Sequence, residues 1–367
     1  KMSVQENLSA VLYRKREEYP QCDIVLENRS IVEPKENEVL LQMHSVGICG
    51  SDVSYWVKGR IGDFIVNDPM VIGHEAAGRV VRCGKNVTHL KPGDRVAIEP
   101  GYPLHNDDFF KKGRYNLSEV FFCATPPDDG NLSRFYTHNA DFCYKLPDNV
   151  SYEEGALIEP LSVGIHACRR AEITLGHNVF ICGAGPIGLV SLLVAKAMGA
   201  SKIVISDLFP KRLEMAKQLG ADEVIKVNIG DDAKMVASKV ECLLGAMPDR
   251  TIECTGAESA IQTGIYATKS GGCLLLVGLG PAMVNVPIVN AAVREVDIRG
   301  VFRYCNTYPT AIQMLASRQV DVTPLVTHRF KLEEVQKAFE VTRAGEGIKV
   351  MLKCDPNDQI LANKLTN

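Results

Sequence analysis

The sequence predicts an α/β chain in which a doubly wound parallel sheet is inserted into a mainly β domain. Three observations carry this. Residues 8–150 hold short β-type runs separated by Gly, Pro, Asn and Asp, with little helical periodicity. From about Ser162, six apolar runs alternate with helical stretches. After Val301 come two further helices and a closing strand, which cannot extend a sheet already complete at six strands. The tail is therefore expected to return to the first domain. This gives 1–161 as its first part, 162–300 as the insert and 301–367 as the return segment.

In chain order, the first domain offers strands at 38–47, 77–81, 94–98 and 142–146. Ser151 opens a helix, with Glu154 three residues on as the partner of a capping box. The insert offers strands at 179–182, 203–206, 223–227, 250–254, 273–277 and 296–301. Helices at 310–317 and 332–344 and a strand at 348–353 complete the chain.

The 367 residues are 46% hydrophobic and 23% charged, and 41 basic against 44 acidic side chains leave a net charge of −3. With no basic block, neither nucleic acid nor an anionic membrane is an expected partner. No apolar stretch approaches the roughly 18 residues of a membrane span. The N-terminal Lys-Met-Ser-Val-Gln-Glu-Asn lacks the apolar core of a signal peptide. The twelve cysteines include no C-x-x-C pair, and Cys182, Cys254 and Cys273 sit inside apolar runs. Reduced thiols and a cytoplasmic location are the expectation.

The strongest single signal is 179–188. An apolar run suited to a buried parallel strand leads into Gly183, Gly185 and Gly188, a G-x-G-x-x-G. The first glycine allows the tight turn, the second lets backbone approach a pyrophosphate, and the third lets the helix pack on the strand. Pro186 falls in the first helical turn, where its missing N–H costs nothing. Leu189, Leu192, Leu193 and Ala197 continue an apolar helix face that Gly199 ends. The free N–H groups and positive dipole end of that helix suit a phosphate. Asp207 follows about 20 residues after the glycines, where a carboxylate can hold a ribose 2′-OH. A dinucleotide is the expected ligand, NAD rather than NADP, because a 2′-phosphate would meet the Asp207 anion. Lys211 and Arg212 are the counterweight, although Arg212 can equally pair with Asp207 or the ribose.

A second constellation lies in the first domain: Cys49, His74, Glu75 and Glu159. Cys, His and carboxylate are donors zinc accepts, and a catalytic zinc takes three protein ligands and keeps one position open. Each also has an ordinary reading, with Cys as packing, His as a satisfied polar group and Glu75 as the partner of a nearby Lys. Spacing alone leaves both open.

Gly73-His74-Glu75-x-x-Gly78, followed by Lys91-Pro92-Gly93-Asp94-Arg95-Val96, resembles the signature of zinc-containing medium-chain dehydrogenases. The likeness extends over nearly the whole chain. It is carried by Met43-His44-Ser45-Val46-Gly47-Ile48-Cys49-Gly50-Ser51-Asp52, by Gly113-Arg114-Tyr115-Asn116-Leu117 and by Phe122-Cys123-Ala124-Thr125-Pro126-Pro127-Asp128-Asp129-Gly130. Gly155-Ala156-Leu157-Ile158-Glu159-Pro160-Leu161-Ser162-Val163-Gly164 and Gly300-Val301-Phe302-Arg303-Tyr304-Cys305-Asn306 complete it and point to the polyol-oxidising branch.

The resemblance implies a Rossmann domain inserted into a GroES-like catalytic domain. It implies a zinc on Cys49, His74 and Glu75, with Glu159 beside it through water or exchanging onto the metal, and it leaves open which Glu ligates. The alcohol dehydrogenase branch has a Cys where this chain has a carboxylate. Asp52 matches the carboxylate that orients an imidazole ligand. Many relatives hold a second, structural zinc on four cysteines, but 101–118 has no Cys, and Leu104, Asp107, Phe110 and Ser118 stand at the corresponding positions. One catalytic zinc and no structural zinc per chain follow.

The implied reaction is reversible hydride transfer between NAD and a polyol such as sorbitol or xylitol, with zinc lowering the pKa of the bound alcohol. Ser51 and Glu159 are the expected catalytic residues, Ser51 starting the proton route. Ser54 stands where much of the family has His. Tyr55, Glu159, Phe121, Phe122, Arg303 and Tyr304 match substrate positions, and Arg303, read as lying between apolar strand residues, needs a partner. Cofactor contacts carry over to Ile187, Asp207, Arg212, Val277, Gly278, Leu279, Val301, Phe302 and Arg303. The family implies a homotetramer. The rivals are a secondary alcohol or threonine dehydrogenase on the same scaffold and a non-catalytic dinucleotide-binding protein. The latter has no need of Cys49, Ser51, His74, Glu75 and Glu159 together.

Overall fold

The computed structural model describes residues 7–14 and 22–357. They form two compact units. One runs through Glu159 and is rejoined by Tyr308–Ala316 and the chain from Val322; the other comprises Pro160–Thr307 with Ser317–Asp321. The insert thus begins at Pro160 and runs to Thr307, beyond the expected 162–300, and the short Ser317–Asp321 segment of the tail stays with it.

The first unit is built on a seven-stranded sheet. Its strands run in the order Cys143–Lys145, Arg95–Ile98, Glu75–Cys83, Glu38–Gly47, Lys349–Lys353 and Val326–Lys331, with Phe135–Asn139 also paired to Glu38–Gly47. Glu38–Gly47 buries Val39, Leu41, Met43 and Val46 against Ile72, Val96, Ile98, Val350, Leu352 and Phe339. Burying side chains of this size contributes about 1.5–3 kcal/mol each. Register matters more than area here. Gly47 lies opposite Glu75 on one side and Met351 on the other, so the motif strand and the closing strand flank the same glycine.

The helix Gly50–Lys58 was not anticipated. Its N-cap is Cys49, and Asp52 at the third position reaches back to the Cys49 N–H at 2.9 Å, while Gly59 ends it at φ 70°. The helix expected after Ser151 forms as Tyr152–Ala156 with the Ser151–Glu154 capping box in place. Ile158–Arg170 then begins, carrying Glu159 in its first turn.

The second unit is a six-stranded, wholly parallel sheet. Its order is Glu223–Lys226, Lys202–Asp207, Asn178–Cys182, Arg250–Glu253, Cys273–Leu276 and Asp297–Gly300. This is the doubly wound arrangement, with its topological switch between Asn178–Cys182 and Arg250–Glu253, where ligands bind beyond the carboxyl ends of the strands.

Candidate metal centre and dinucleotide site

Two local devices bring the metal-ligand candidates together. Gly73 takes φ 92°, and a Cβ there would lie 2.9 Å from the Leu132 Cβ, so the turn before His74 requires glycine. Asp52, 1% exposed, accepts the Cys49 N–H at 2.9 Å and the Gly73 N–H at 3.4 Å, and its Oδ1 lies 3.3 Å from His74 Nδ1. One carboxylate thereby fixes both ligand-bearing segments and the imidazole. With Nδ1 facing Asp52, the His74 Nε2 lone pair is left for a metal. Burial opposes charging of His74, but Asp52 and Cys49 outweigh it and hold the ring well above its ordinary value.

Glu75 sits in the space Gly47 leaves, since a Cβ at Gly47 would lie 2.3 Å from Glu75 Oε2. Both carboxylate oxygens accept from Lys349 Nζ, at 2.6 and 2.7 Å, and the ammonium also donates to the Ile48 carbonyl at 3.2 Å. The pair is sealed from water, and Glu75 keeps Lys349 protonated against the cost of burial. The ligand atoms of Cys49, His74 and Glu75 all lie within 4.8 Å of one another. A sulfur, an imidazole nitrogen and a carboxylate oxygen so placed fit a tetrahedral zinc with one open position. The two readings of Glu75 therefore hold together: it belongs to the ligand cluster and it pairs with a lysine. Glu159 is buried but outside that cluster, within electrostatic reach of Lys349 and Glu99.

Phe122 is buried with its ring centroid 6.0 Å from that of His74, whereas Phe121 stacks on Tyr102 at 4.8 Å. Tyr55 is buried on the helix Gly50–Lys58, and Ser51 is half-buried in its first turn. Ser54 is half-buried and donates back to the Gly50 carbonyl at 3.0 Å. In the cysteine-free lobe, Asp107 Oδ1 accepts from the Phe110 N–H and the Ser118 hydroxyl, each at 2.8 Å, tying three of the four positions noted above.

Sequence reasoning missed Lys349 and Glu99. Lys349 left one signal, a lysine opening the otherwise apolar Lys-Val-Met-Leu of the closing strand.

In the second unit the glycines take their expected places. Gly183 has φ 97° and donates to Ser206 at 2.7 Å; Gly185 caps the helix Pro186–Ala197; a Cβ on Gly188 would fall 1.8 Å from the Gly183 carbonyl oxygen. Asp207 is buried at the end of its strand. Its oxygens accept the Ala184 N–H at 2.7 Å and the Phe209 N–H at 2.8 Å, and Arg212 Nη1 stands 3.9 Å away. Arg212 also lies over the Phe209 ring, 4.9 Å from its centroid. Ile187 and Val277 are half-buried, Leu279 is 81% exposed, and Gly278 packs on Thr255 and Gly256.

Arg303 corrects one expectation. It lies in the loop after Asp297–Gly300, not between strand residues, with φ 51° and its guanidinium 4.8 Å over the Phe302 ring. Val301 beside it is half-buried and Tyr304 is buried. Of the expected substrate residues, Tyr55, Phe121, Phe122 and Glu159 belong to the first unit, Arg303 and Tyr304 to the second.

Comparison with known proteins agrees with this geometry. Residues 35–148 match the alcohol dehydrogenase GroES-like domain and residues 186–317 the zinc-binding dehydrogenase domain. The chain belongs to the zinc-containing medium-chain dehydrogenase family. Among its relatives, sorbitol dehydrogenase of Gallus gallus is 64% identical over 355 residues, covering 96% of this chain and 98% of that one. Sorbitol dehydrogenase of Homo sapiens is 67% identical over 338 residues, 92% and 94% of the two chains. The crystal structure of L-idonate 5-dehydrogenase from Escherichia coli superposes with a TM-score of 0.85 at 28% identity, covering 95% of this chain and 98% of that one.

Proposed function

We propose that the chain is an NAD-dependent polyol dehydrogenase that interconverts sorbitol and fructose, and related polyols such as xylitol, using one catalytic zinc. The observation that carries this is the convergence of Cys49, His74 and Glu75 within 4.8 Å, in a chain 67% identical to a sorbitol dehydrogenase. Bound there, zinc supplies a Lewis acid for an alcohol oxygen. Asp52 orients His74, Lys349 holds Glu75, and Glu159 lies beside the cluster as the second carboxylate. Ser51, half-buried two residues after Cys49, starts the route by which the alcohol proton leaves, its hydroxyl accepting that proton as it passes its own onward. Tyr55, Phe121 and Phe122 form wall, and Arg303, with Tyr304, offers several fixed donors to a polyhydroxylated chain.

The dinucleotide lies on the Gly183–Gly188 turn, with Asp207 toward the ribose 2′-OH and Ile187, Arg212, the Val277–Leu279 backbone and Val301–Arg303 around it. The Asp107 hydrogen bonds support a lobe that holds together without a structural zinc. Two features support assembly into a homotetramer: Asp297–Gly300 is an edge strand, and Ile288, Val289 and Val293 beside it are exposed. Cysteines packed inside buried strands, such as Cys182 and Cys273, support a reducing, cytoplasmic setting.

Purified protein assayed on sorbitol, xylitol, ribitol, a simple secondary alcohol and threonine, each with NAD and NADP, tests the reading. Polyol turnover with NAD is expected. Faster turnover of the simple alcohol or of threonine would overturn it.

A further inference from the structure

Glu253 is a fully buried carboxylate at the carboxyl end of Arg250–Glu253, the strand that neighbours the glycine-loop strand at the topological switch. Burying a carboxylate is expensive unless donors surround it. Here the donors come from a single turn. Glu253 Oε1 accepts the Thr255 N–H at 2.7 Å and the Thr255 hydroxyl, and the Gly256 N–H reaches both oxygens at 3.0 Å. The Thr255 oxygen in turn accepts the Ala257 N–H at 3.0 Å, which closes the start of the helix Glu258–Ala267. Burial raises the Glu253 carboxyl above its ordinary value, and these donors pull it back.

That turn is wedged between two loops. On one side, a Cβ at Gly183 would lie 2.7 Å from Thr255 Cγ2. On the other, a Cβ at Gly278 would lie 2.1 Å from the Gly256 nitrogen, and one at Gly280 1.8 Å from the Gly256 oxygen. The Glu253 carbonyl adds a further tie, accepting the Val277 and Gly278 N–H groups at 2.9 and 3.0 Å. Both loops are packed too closely for the turn to move without moving them. Backbone loops that bind a cofactor need such support behind the residues that touch it.

The geometry points to Glu253 as a positioning residue for the nicotinamide dinucleotide, acting through the Thr255–Gly256 turn on the Gly183 loop and the Val277–Gly280 loop together. This rests on the dinucleotide reading of those loops.

The experiment titrates NADH onto the full-length, zinc-loaded chain and compares Glu253→Gln, Glu253→Ala and Thr255→Ala. It also measures KM for NAD, KM for sorbitol, kcat at saturating NAD and zinc content. Gln keeps shape but places an amide donor against the Gly256 N–H, so the NADH Kd should rise about tenfold, and further in the Ala variant. KM for NAD should rise in step while KM for sorbitol, kcat and zinc content hold. Wild-type affinity in Glu253→Gln would overturn the inference, as would parallel loss of NADH, sorbitol and zinc binding, which is the mark of a merely structural role. If Glu253→Gln fails to fold, Thr255→Ala decides, and wild-type NADH affinity there overturns the inference. A wild-type chain that does not bind NADH refutes the dinucleotide reading instead.

Discussion

Glu99 is sealed from water, and the hydroxyls of Tyr115 and Tyr144 donate to its two oxygens at 2.5 and 2.8 Å. Burial pushes its carboxyl up to about 7 from an ordinary 4.5; the phenols resist and Glu159 adds to the rise. Between those values the folded chain holds a proton that the unfolded chain has released, so stability falls as pH rises through this window. Gln cannot ionise, so the advantage of the wild type over Glu99→Gln should shrink by about 3 kcal/mol between pH 4.5 and 7.5. Urea unfolding at a series of pH values reads this, and a pH-independent difference would contradict it. Asp207 is the second residue with a sharp expectation. Its oxygens are fixed by Ala184 and Phe209, so its charge cannot swing away from a 2′-phosphate. NAD should be preferred by at least about tenfold, about 1.4 kcal/mol. Asp207→Ala should narrow the ratio of kcat/KM for the two cofactors, with Arg212 freed toward NADP, and an unchanged ratio would count against the assignment.

Among elements, the strand–turn–helix of the dinucleotide site is the least tolerant. A methyl group at Gly188 meets the Gly183 carbonyl at 1.8 Å, so Gly188→Ala must separate helix from strand and should weaken NADH binding by at least about a hundredfold. Fluorescence titration of NADH checks this, and zinc content should be unaffected. The same region was the most legible from sequence. The six strands form within one or two residues of their expected ends, because strands buried on both faces are continuous apolar runs. Several elements escaped, and two of them show why. Gly50–Lys58 buries only Asp52, Tyr55 and Trp56, too little for a helical stripe to show, and its identity lies in its caps. In Val326–Lys331 a register shift between Val326 and His328 breaks the alternation, and only Val326 and Phe330 are buried. At the site, the ligand candidates could be read from residue type. Lys349 could not, because nothing local announces a partner 274 positions away.

At the scale of the whole molecule, that distance is the organising fact. Lys349 is the buried counter-charge of Glu75, and removing one member of such a pair leaves the other uncompensated. Lys349→Met should destabilise metal-free protein by about 3–5 kcal/mol, and saturating zinc should recover part of the loss by supplying positive charge to Glu75. Denaturant unfolding with zinc and with a chelator measures both, and an equal loss in the two conditions would show that Glu75 is not shared between lysine and metal. The closing strand also gives the site an order in time. Chains emerge from the ribosome amino end first and fold unit by unit as they appear. The histidine and cysteine are made early, and every strand of the dinucleotide sheet precedes Lys349 in the chain. A nascent chain can therefore complete every strand of that sheet while Glu75 still lacks its counter-charge, so the charge balance of the metal-ligand candidates is set only after those strands have been made.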